Sequence, residues 1–394
     1  MVRISRIEPL IIFLFIFTQI AGLSILVYTV PSLGSLIGTF KYLIFLLPII
    51  YLLKGFYIEW RMLLVITIFI TTILINNIDP IFQSEFRLIS WILLIFAVGP
   101  FVLNEFLINF RKRLLTTLLI TFMIMGSISF LWWLVGLPSL GRGHYTGLFT
   151  HSMLLAPIAA MGSIFSAYKT VSSDKQKFKL IYLFLFISNF ISLLLSASRG
   201  ALAGTLFVLF IFLIFAKIKY KKTLIILSLI IGFFSLQFVS INLSNSNITQ
   251  KIANRGIDNT RAGLWHDRIM EFNSSPIFGV GFASQDLTLD GRLGKGASEE
   301  GGVEPGSTYL MILSMTGLLG LFSLIILFSK YLTKIKKLKQ PFQKPELYIL
   351  IFFLVHFISE GYLYSSGSLM AFTFWLLIGA TYPTNYEKNV QGIK

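Results

Sequence analysis

Apolar residues run along this chain in blocks of about twenty, parted by short basic or polar connections. The blocks fall near 8–28, 36–53, 61–76, 87–104, 114–135, 151–168, 180–197, 200–216, 223–241, 307–329, 347–362 and 367–383. A helical run of that length crosses about 30 Å of hydrocarbon. In lipid a span must satisfy its own backbone polar groups, which a helix does alone. The pattern predicts an all-α polytopic membrane protein with about twelve transmembrane helices. They form a single integral membrane domain over residues 1–394. One interval departs from the pattern. Residues 242–306 are polar, glycine-rich and turn-rich, and are expected to form a large extracytoplasmic loop containing short helices.

Charge then orients the blocks. MVRISRIEPL leads into an apolar run too long for a signal peptide's core, with no small-residue cleavage pattern, so an uncleaved first helix is expected. With Arg3 and Arg6 in the cytoplasm, most other basic residues fall on the same side: Lys54 with Arg61, Arg111-Lys112-Arg113, Lys169 to Lys179, Lys217 to Lys222, Lys330 to Lys344, and Lys388 with Lys394. Lysine and arginine accumulate in cytoplasmic loops, so both termini are expected inside. The run Lys330 to Lys344 suits contact with anionic lipid. Orientation should empty the opposite loops of positive charge, yet Arg142, Arg199, Arg255, Arg261 and Arg268 lie there. These arginines are the first candidates for chemistry.

Composition narrows the class. The chain is 55% hydrophobic and 13% charged, and its 39 phenylalanines exceed what a soluble core of this size can hide. Without cysteine there is neither a disulfide framework nor a thiolate metal site. Orientation accounts for the net charge of +16, so nucleic acid is not an expected partner.

In SASRGALAG (Ser196–Gly204) a lone arginine stands beside small residues between two apolar runs. It either snorkels to a headgroup or binds an anion. In NTRAGLWHDRIMEF (Asn259–Phe272), Arg261, Trp265 and Arg268 recur at helical spacing while Ile269 and Phe272 extend an apolar stripe. That is the pattern of a helix lying at the membrane interface. Guanidinium grips phosphate bidentately and stays charged, so the same arginines suit the diphosphate of a lipid-linked substrate. His266 is a candidate base or a polar-face residue. Arg142, His144 and His151 gather in GRGHYTGLFTHSM at an outer helix mouth, while His356 and Glu360 read as a packing or local hydrogen-bonding pair. SSPIFGVGF (Ser274–Phe282) has the glycines of a tight turn without a P-loop or dinucleotide signature. No metal-ligand spacing occurs, so neither metal nor cofactor is expected. Glu304, at the mouth of the next span, is the candidate general base for a sugar hydroxyl.

Over roughly Gly141–Leu321 these segments resemble the O-antigen ligase and polymerase superfamily (the Wzy/WaaL type). SRGALAG is similar to its Ser-Arg-Gly at the start of a span. TRAGLWHDRIMEFNSSPIFGVGF is similar to its Arg-x-x-x-Trp helix followed by Pro-hydrophobic-Gly-x-Gly. YLMILSMTGLLGLF resembles the span after the large loop. Two departures stand out. His144 occupies an arginine position of the earlier outer loop, with Arg142 two residues back, and Gly306 and Ser307 replace a histidine–asparagine pair whose histidine is the expected base.

The resemblance implies a GT-C-like layout in the bacterial cytoplasmic membrane and a glycosyltransferase of polysaccharide biosynthesis. Undecaprenyl-diphosphate-linked oligosaccharides would be donor and acceptor, with a chain-length regulator or flippase as further partners. Arg199 and Arg261, helped by Arg142 or Arg255, would hold the diphosphate, with His144, His266 and Arg268 as further site candidates. Glu304 would deprotonate the acceptor hydroxyl for a metal-independent, inverting displacement. A ligase is the near alternative. A secondary transporter or flippase of about twelve spans is the rival of another class, and would place its charges near the midplane.

Overall fold

The computed structural model describes residues 2–24, 37, 40–76, 80–139, 144–215, 261–287, 305–337 and 344–383. The expected span 223–241, together with Arg142, Arg255 and Glu304, lies outside these residues. The apolar blocks fold as helices α1 (Val2–Ala21), α2 (Phe40–Leu52), α3 (Trp60–Ile75), α4 (Ser84–Ala97), α5 (Glu105–Leu134), α6 (Ser152–Ser172), α7 (Gln176–Leu195) and α8 (Arg199–Phe215). After the short polar helix α9 (Ala262–Ser274) come α10 (Thr308–Lys337), α11 (Pro345–His356) and α12 (Leu369–Thr381). The chain is a mostly helical membrane protein.

Among the described residues four helices, α5, α6, α7 and α10, are long and apolar enough to cross a membrane, and six more are shorter apolar helices. Two of the shorter helices end for local reasons. Pro48 sits in a tighter 3-10 turn, Leu47–Lys54, that ends α2, and α11 stops at His356 although apolar residues continue to Tyr362. In the other direction, α5 starts at Glu105 and takes Arg111-Lys112-Arg113 into its own first turns rather than leaving them in a loop.

The core is built around α12, whose residues from Leu369 to Ala380 are all buried. A helix apolar on every face is stable only when surrounded, and α5 packs along it. Helices α5, α6 and α7 form a tight group because glycine lets them approach. A Cβ on Gly126 or Gly162 would lie 2.0 or 2.3 Å from Asn189 Oδ1. The Asn189 amide donates to Met123 O at 2.8 Å and to Ser127 Oγ at 2.8 Å. Small residues plus interhelical hydrogen bonds replace the hydrophobic drive that lipid removes.

Polar clusters tie one end of the bundle. Two short antiparallel strands, β1 (Tyr57–Ile58) and β2 (Val102–Leu103), join the connections before α3 and before α5. Buried Arg111 donates to Ala97 O at 3.1 Å, Val102 O at 3.0 Å and Phe96 O at 2.9 Å, closing the carbonyl end of α4. A cation there meets the negative end of the helix dipole. Arg111 therefore does structural work beyond orientation.

Candidate functional site

At the opposite end residues 261–287 of the polar interval fold down into the bundle through a backbone joint. In an unbroken helix the amides of Leu318 and Leu319 would donate to the carbonyls of Ser314 and Met315. Gly317, at φ 60° and ψ −161°, breaks α10 between them. The freed carbonyls accept from Val280 N at 2.8 Å and Gly281 N at 3.1 Å. The freed amides donate to Pro276 O at 2.9 Å and Ile277 O at 3.2 Å. Side chains cannot fit in this joint: a Cβ on Gly317 would lie 2.2 Å from Ile277 O, and one on Gly279 would lie 2.4 Å from the Met315 carbonyl carbon. Phe282 anchors the loop, its ring stacked 4.6 Å from that of Phe69. Gly279 of SSPIFGVGF and Gly317 of SMTGLLG thus serve one purpose, close approach of two backbones.

The joint fixes α9 beside the start of α10. Arg261 occupies the N-cap of α9. Its Nη1 donates to Gly306 O at 3.1 Å, where Trp265 Nε1 also donates at 3.3 Å. Its Nη2 forms an ion pair with Glu360 Oε1 in the α11–α12 connection. Thr308 closes the same corner: its hydroxyl donates to Glu360 O at 2.6 Å and its amide to Phe357 O at 2.9 Å. The start of α8 arrives there too, since a Cβ on Gly200 would lie 2.3 Å from Ser359 Oγ. Arg199, the preceding residue, is exposed, and its side chain makes no hydrogen bond or ion pair among the described residues. The structure therefore brings the chain at Arg199 and the guanidinium of Arg261 to the same corner, on either side of residues 359–360. Arg261 and Glu360 keep 31% and 21% of their side-chain surface open, so an incoming anion can reach the pair.

Other candidates separate from this corner. Arg268 is turned inward, fully buried, with its Nη1 2.7 Å from Glu271 Oε2. Glu271 also accepts from Asp286 N at 3.0 Å, and burial pushes its carboxyl above the ordinary range against the pull of Arg268. That pair holds α9 in place and is closed to substrate. On the same helix Ile269 and Met270 are exposed, as expected for a face turned to lipid. His266 is exposed, its Nδ1 3.9 Å from Asp267. His144 is half-buried, and His151 caps α6 by accepting from Met153 N at 3.1 Å. His356 does not pair with the Glu360 side chain: its Nδ1 meets the Tyr362 hydroxyl at 2.8 Å. Sequence reading missed Glu360 as the partner of Arg261. It also passed over Arg87 and Lys41, two further cations on this side.

A comparison with protein families bears on this geometry. Residues 183–325 match a family model described as O-antigen ligase. Over this stretch the chain is similar to the O-antigen ligase family. The match supports the resemblance to the O-antigen ligase and polymerase superfamily, whose members transfer glycosyl chains from lipid-linked substrates. It spans Arg199, Arg261, α9 and the broken half of α10. Glu360 lies outside it. A search of curated proteins finds no match.

Proposed function

We propose that this O-antigen ligase-type protein is a polymerase. It joins undecaprenyl-diphosphate-linked oligosaccharide repeat units into capsular, exopolysaccharide or O-antigen chains on the outer face of the bacterial cytoplasmic membrane. The observation that supports this most is the outer corner where Arg261, already gripping a carboxylate, meets the chain at Arg199. A carboxylate held by a half-open guanidinium marks a place where an anion is stable. A diphosphate brings more charge and more acceptor oxygens, and guanidinium binds such groups bidentately, so it displaces Glu360 from Arg261.

The reaction follows from that placement. As the bond between the anomeric carbon and the diphosphate oxygen breaks, negative charge builds on the diphosphate. Arg199 and Arg261, helped by Arg142 or Arg255, stabilise that charge. Glu304 takes the proton of the acceptor hydroxyl, whose oxygen attacks the anomeric carbon from the face opposite the leaving group. One displacement inverts the anomeric configuration, and the arginines supply the positive charge. Both termini face the cytoplasm.

A ligase shares this corner, and the description of the matched family favours it as a second reading. Transport is less well supported. Its hallmark broken helix is present in α10, but loop backbone fills the break rather than an ion or solute. Deleting the gene in its host separates these readings. Loss of a polymerase leaves single repeat units on the lipid carrier, whereas loss of a ligase leaves full-length chains on the carrier. Re-expressed Arg199→Ala or Arg261→Ala should reproduce the single-unit pattern at normal membrane abundance. A normal polymer ladder from either variant sinks the proposal.

A further inference from the structure

The three consecutive cations near the start of α5 part company. Arg111 turns into the bundle, where it closes the carbonyl end of α4. Lys112 and Arg113 are exposed and line a groove of about 890 Å³ between α1 and α5. Glu8 lines it too, and its two carboxylate oxygens accept from Arg113 Nε at 2.6 Å and Arg113 Nη2 at 2.8 Å. That fork balances one cation and leaves Arg113 Nη1 without a hydrogen bond among the described residues. Lys112 makes no side-chain hydrogen bond or ion pair among them. Glu8 is the one carboxylate in the described lining, so the mouth of the groove carries a positive charge that its wall does not balance.

Helix length sets the depth of that charge. Helix α5 has 30 residues, so at about 45 Å it exceeds a hydrocarbon core of about 30 Å. Leu114 to Leu134 carries no charged residue and covers roughly 31 Å, which puts Lys112 and Arg113 at headgroup level. Deeper in the membrane the wall is apolar. Helix α1 supplies Ile12, Phe13 and Ile16, with the Phe13 ring stacked 5.8 Å from that of Phe17. Helix α5 supplies three threonines whose hydroxyl protons are used within the helix. Thr116 donates to Lys112 O at 3.0 Å, Thr117 to Arg113 O at 2.9 Å and Thr121 to Thr117 O at 2.9 Å. From Lys112 to Thr121 the groove follows α5 for about 14 Å, close to half the hydrocarbon core and so to the depth of one leaflet.

A cationic mouth at headgroup depth, opening onto an apolar groove one leaflet deep, has the form of a phospholipid. We propose that the groove binds an anionic phospholipid, its phosphate on Lys112 and Arg113 Nη1 and one acyl chain along Ile12, Phe13 and Ile16. Charge selects the lipid: a zwitterionic headgroup sets its own cation beside Lys112, whereas an anionic one balances the excess. The bound lipid bridges α1 and α5 at the end of the bundle opposite the Arg261 corner, so the inference is independent of the glycosyl-transfer reading. Native mass spectrometry of the full-length protein in detergent, titrated with phosphatidylglycerol or phosphatidylcholine, reads the affinity of the first bound lipid. Phosphatidylglycerol should bind about tenfold more tightly than phosphatidylcholine. Lys112→Gln should weaken phosphatidylglycerol about fivefold, the share of one lysine beside anionic lipid, and Lys112→Arg should keep the wild-type preference. Thr117→Trp, which puts a bulky ring into the groove, should weaken both lipids. Replacing Lys336 and Lys337 of the basic run with Gln should leave the preference intact. Equal affinity for the two lipids overturns the proposal. So does a preference that survives Lys112→Gln but is lost with Lys336 and Lys337, which assigns it to the basic run. Unchanged binding in Thr117→Trp overturns it as well, as does farnesyl phosphate displacing phosphatidylglycerol at equal concentration, which gives the groove to a polyprenyl carrier.

Discussion

Glu59 and Glu360 each hold an arginine at opposite ends of this bundle, and their surroundings differ. Glu59 is fully buried and saturated: it accepts from the Tyr57 hydroxyl at 2.6 Å, Arg61 Nη1 at 3.2 Å and Lys330 Nζ at 2.6 Å. Burial alone would raise its carboxyl, but the hydrogen bonds from Lys330 and Tyr57 and the charges of Lys330 and Arg61 hold it below the ordinary range. Glu360 is partly open and faces a guanidinium that is itself 31% exposed. The inner cluster pins the strand before α3 to α10. The outer pair holds a cation in a defined place while leaving it reachable. Breaking a buried pair by removing one partner is destabilising by about 3–5 kcal/mol, while exposed pairs contribute about 0–1 kcal/mol. By that difference Glu59 is architecture and Glu360 is a place-holder.

The largest effect should come from the inner side. Glu59→Ala leaves Lys330 without its counter-ion and should destabilise the protein by about 3–5 kcal/mol, seen as reduced membrane abundance and a lower unfolding temperature. The sign in pH follows from the lowered carboxyl. Its contribution is complete above the unfolded value of 4.5 and is lost as pH falls through the lower folded value. Thermal unfolding in detergent should therefore show an acid limb below about pH 4.5 that Glu59→Gln flattens. An unchanged limb would remove Glu59 from the comparison.

Next comes Arg261→Lys, which keeps the charge but loses the fork. Polymer formation should drop by about 10²–10³-fold, as when one preorganised donor is removed, with abundance intact. Wild-type turnover would show that a point charge suffices. Gly317→Val tests the joint that positions the corner. It forces a side chain into the backbone of Ile277 at a glycine-only conformation and should destabilise by at least about 1–3 kcal/mol. Protease should then cleave between residues 274 and 307 sooner than in wild type, and equal protection would mean the joint is dispensable. Smallest is Glu360→Gln. Its effect on unfolding should be under about 1 kcal/mol, and it should bind the donor at least as well as wild type because displacement becomes easier. A stability loss comparable to that of Glu59→Ala would make the two carboxylates alike.

How far these features were legible in the sequence depends on what each residue type can encode. Among the described residues the apolar blocks became helices, because backbone in lipid leaves few alternatives. Arg199 and Arg261 were found because they break the lysine and arginine asymmetry. Arg268 was grouped with them by helical spacing, yet Arg261 sits at the N-cap, where helical periodicity does not set the side-chain direction, and Arg268 turns inward. Glu360 was hidden by composition. Phe357, Ile358 and Tyr362 are as apolar as a span, so the pattern carries the helix past His356, where it ends. Lys41 and Arg87 vanished into apolar windows for the same reason. The joint at Gly317 depends on two distant backbones meeting, which no local pattern states.

The central claim is that Arg199 and Arg261 grip one diphosphate. A double-mutant cycle on binding of a short polyprenyl diphosphate to the nanodisc-embedded protein tests it most directly, using Arg199→Ala, Arg261→Ala and both together. The account predicts that each single variant weakens binding and that the double variant departs from the sum by more than the ~0.5 kcal/mol expected of independent sites. Strictly additive losses, or undiminished binding in either single variant, would contradict it.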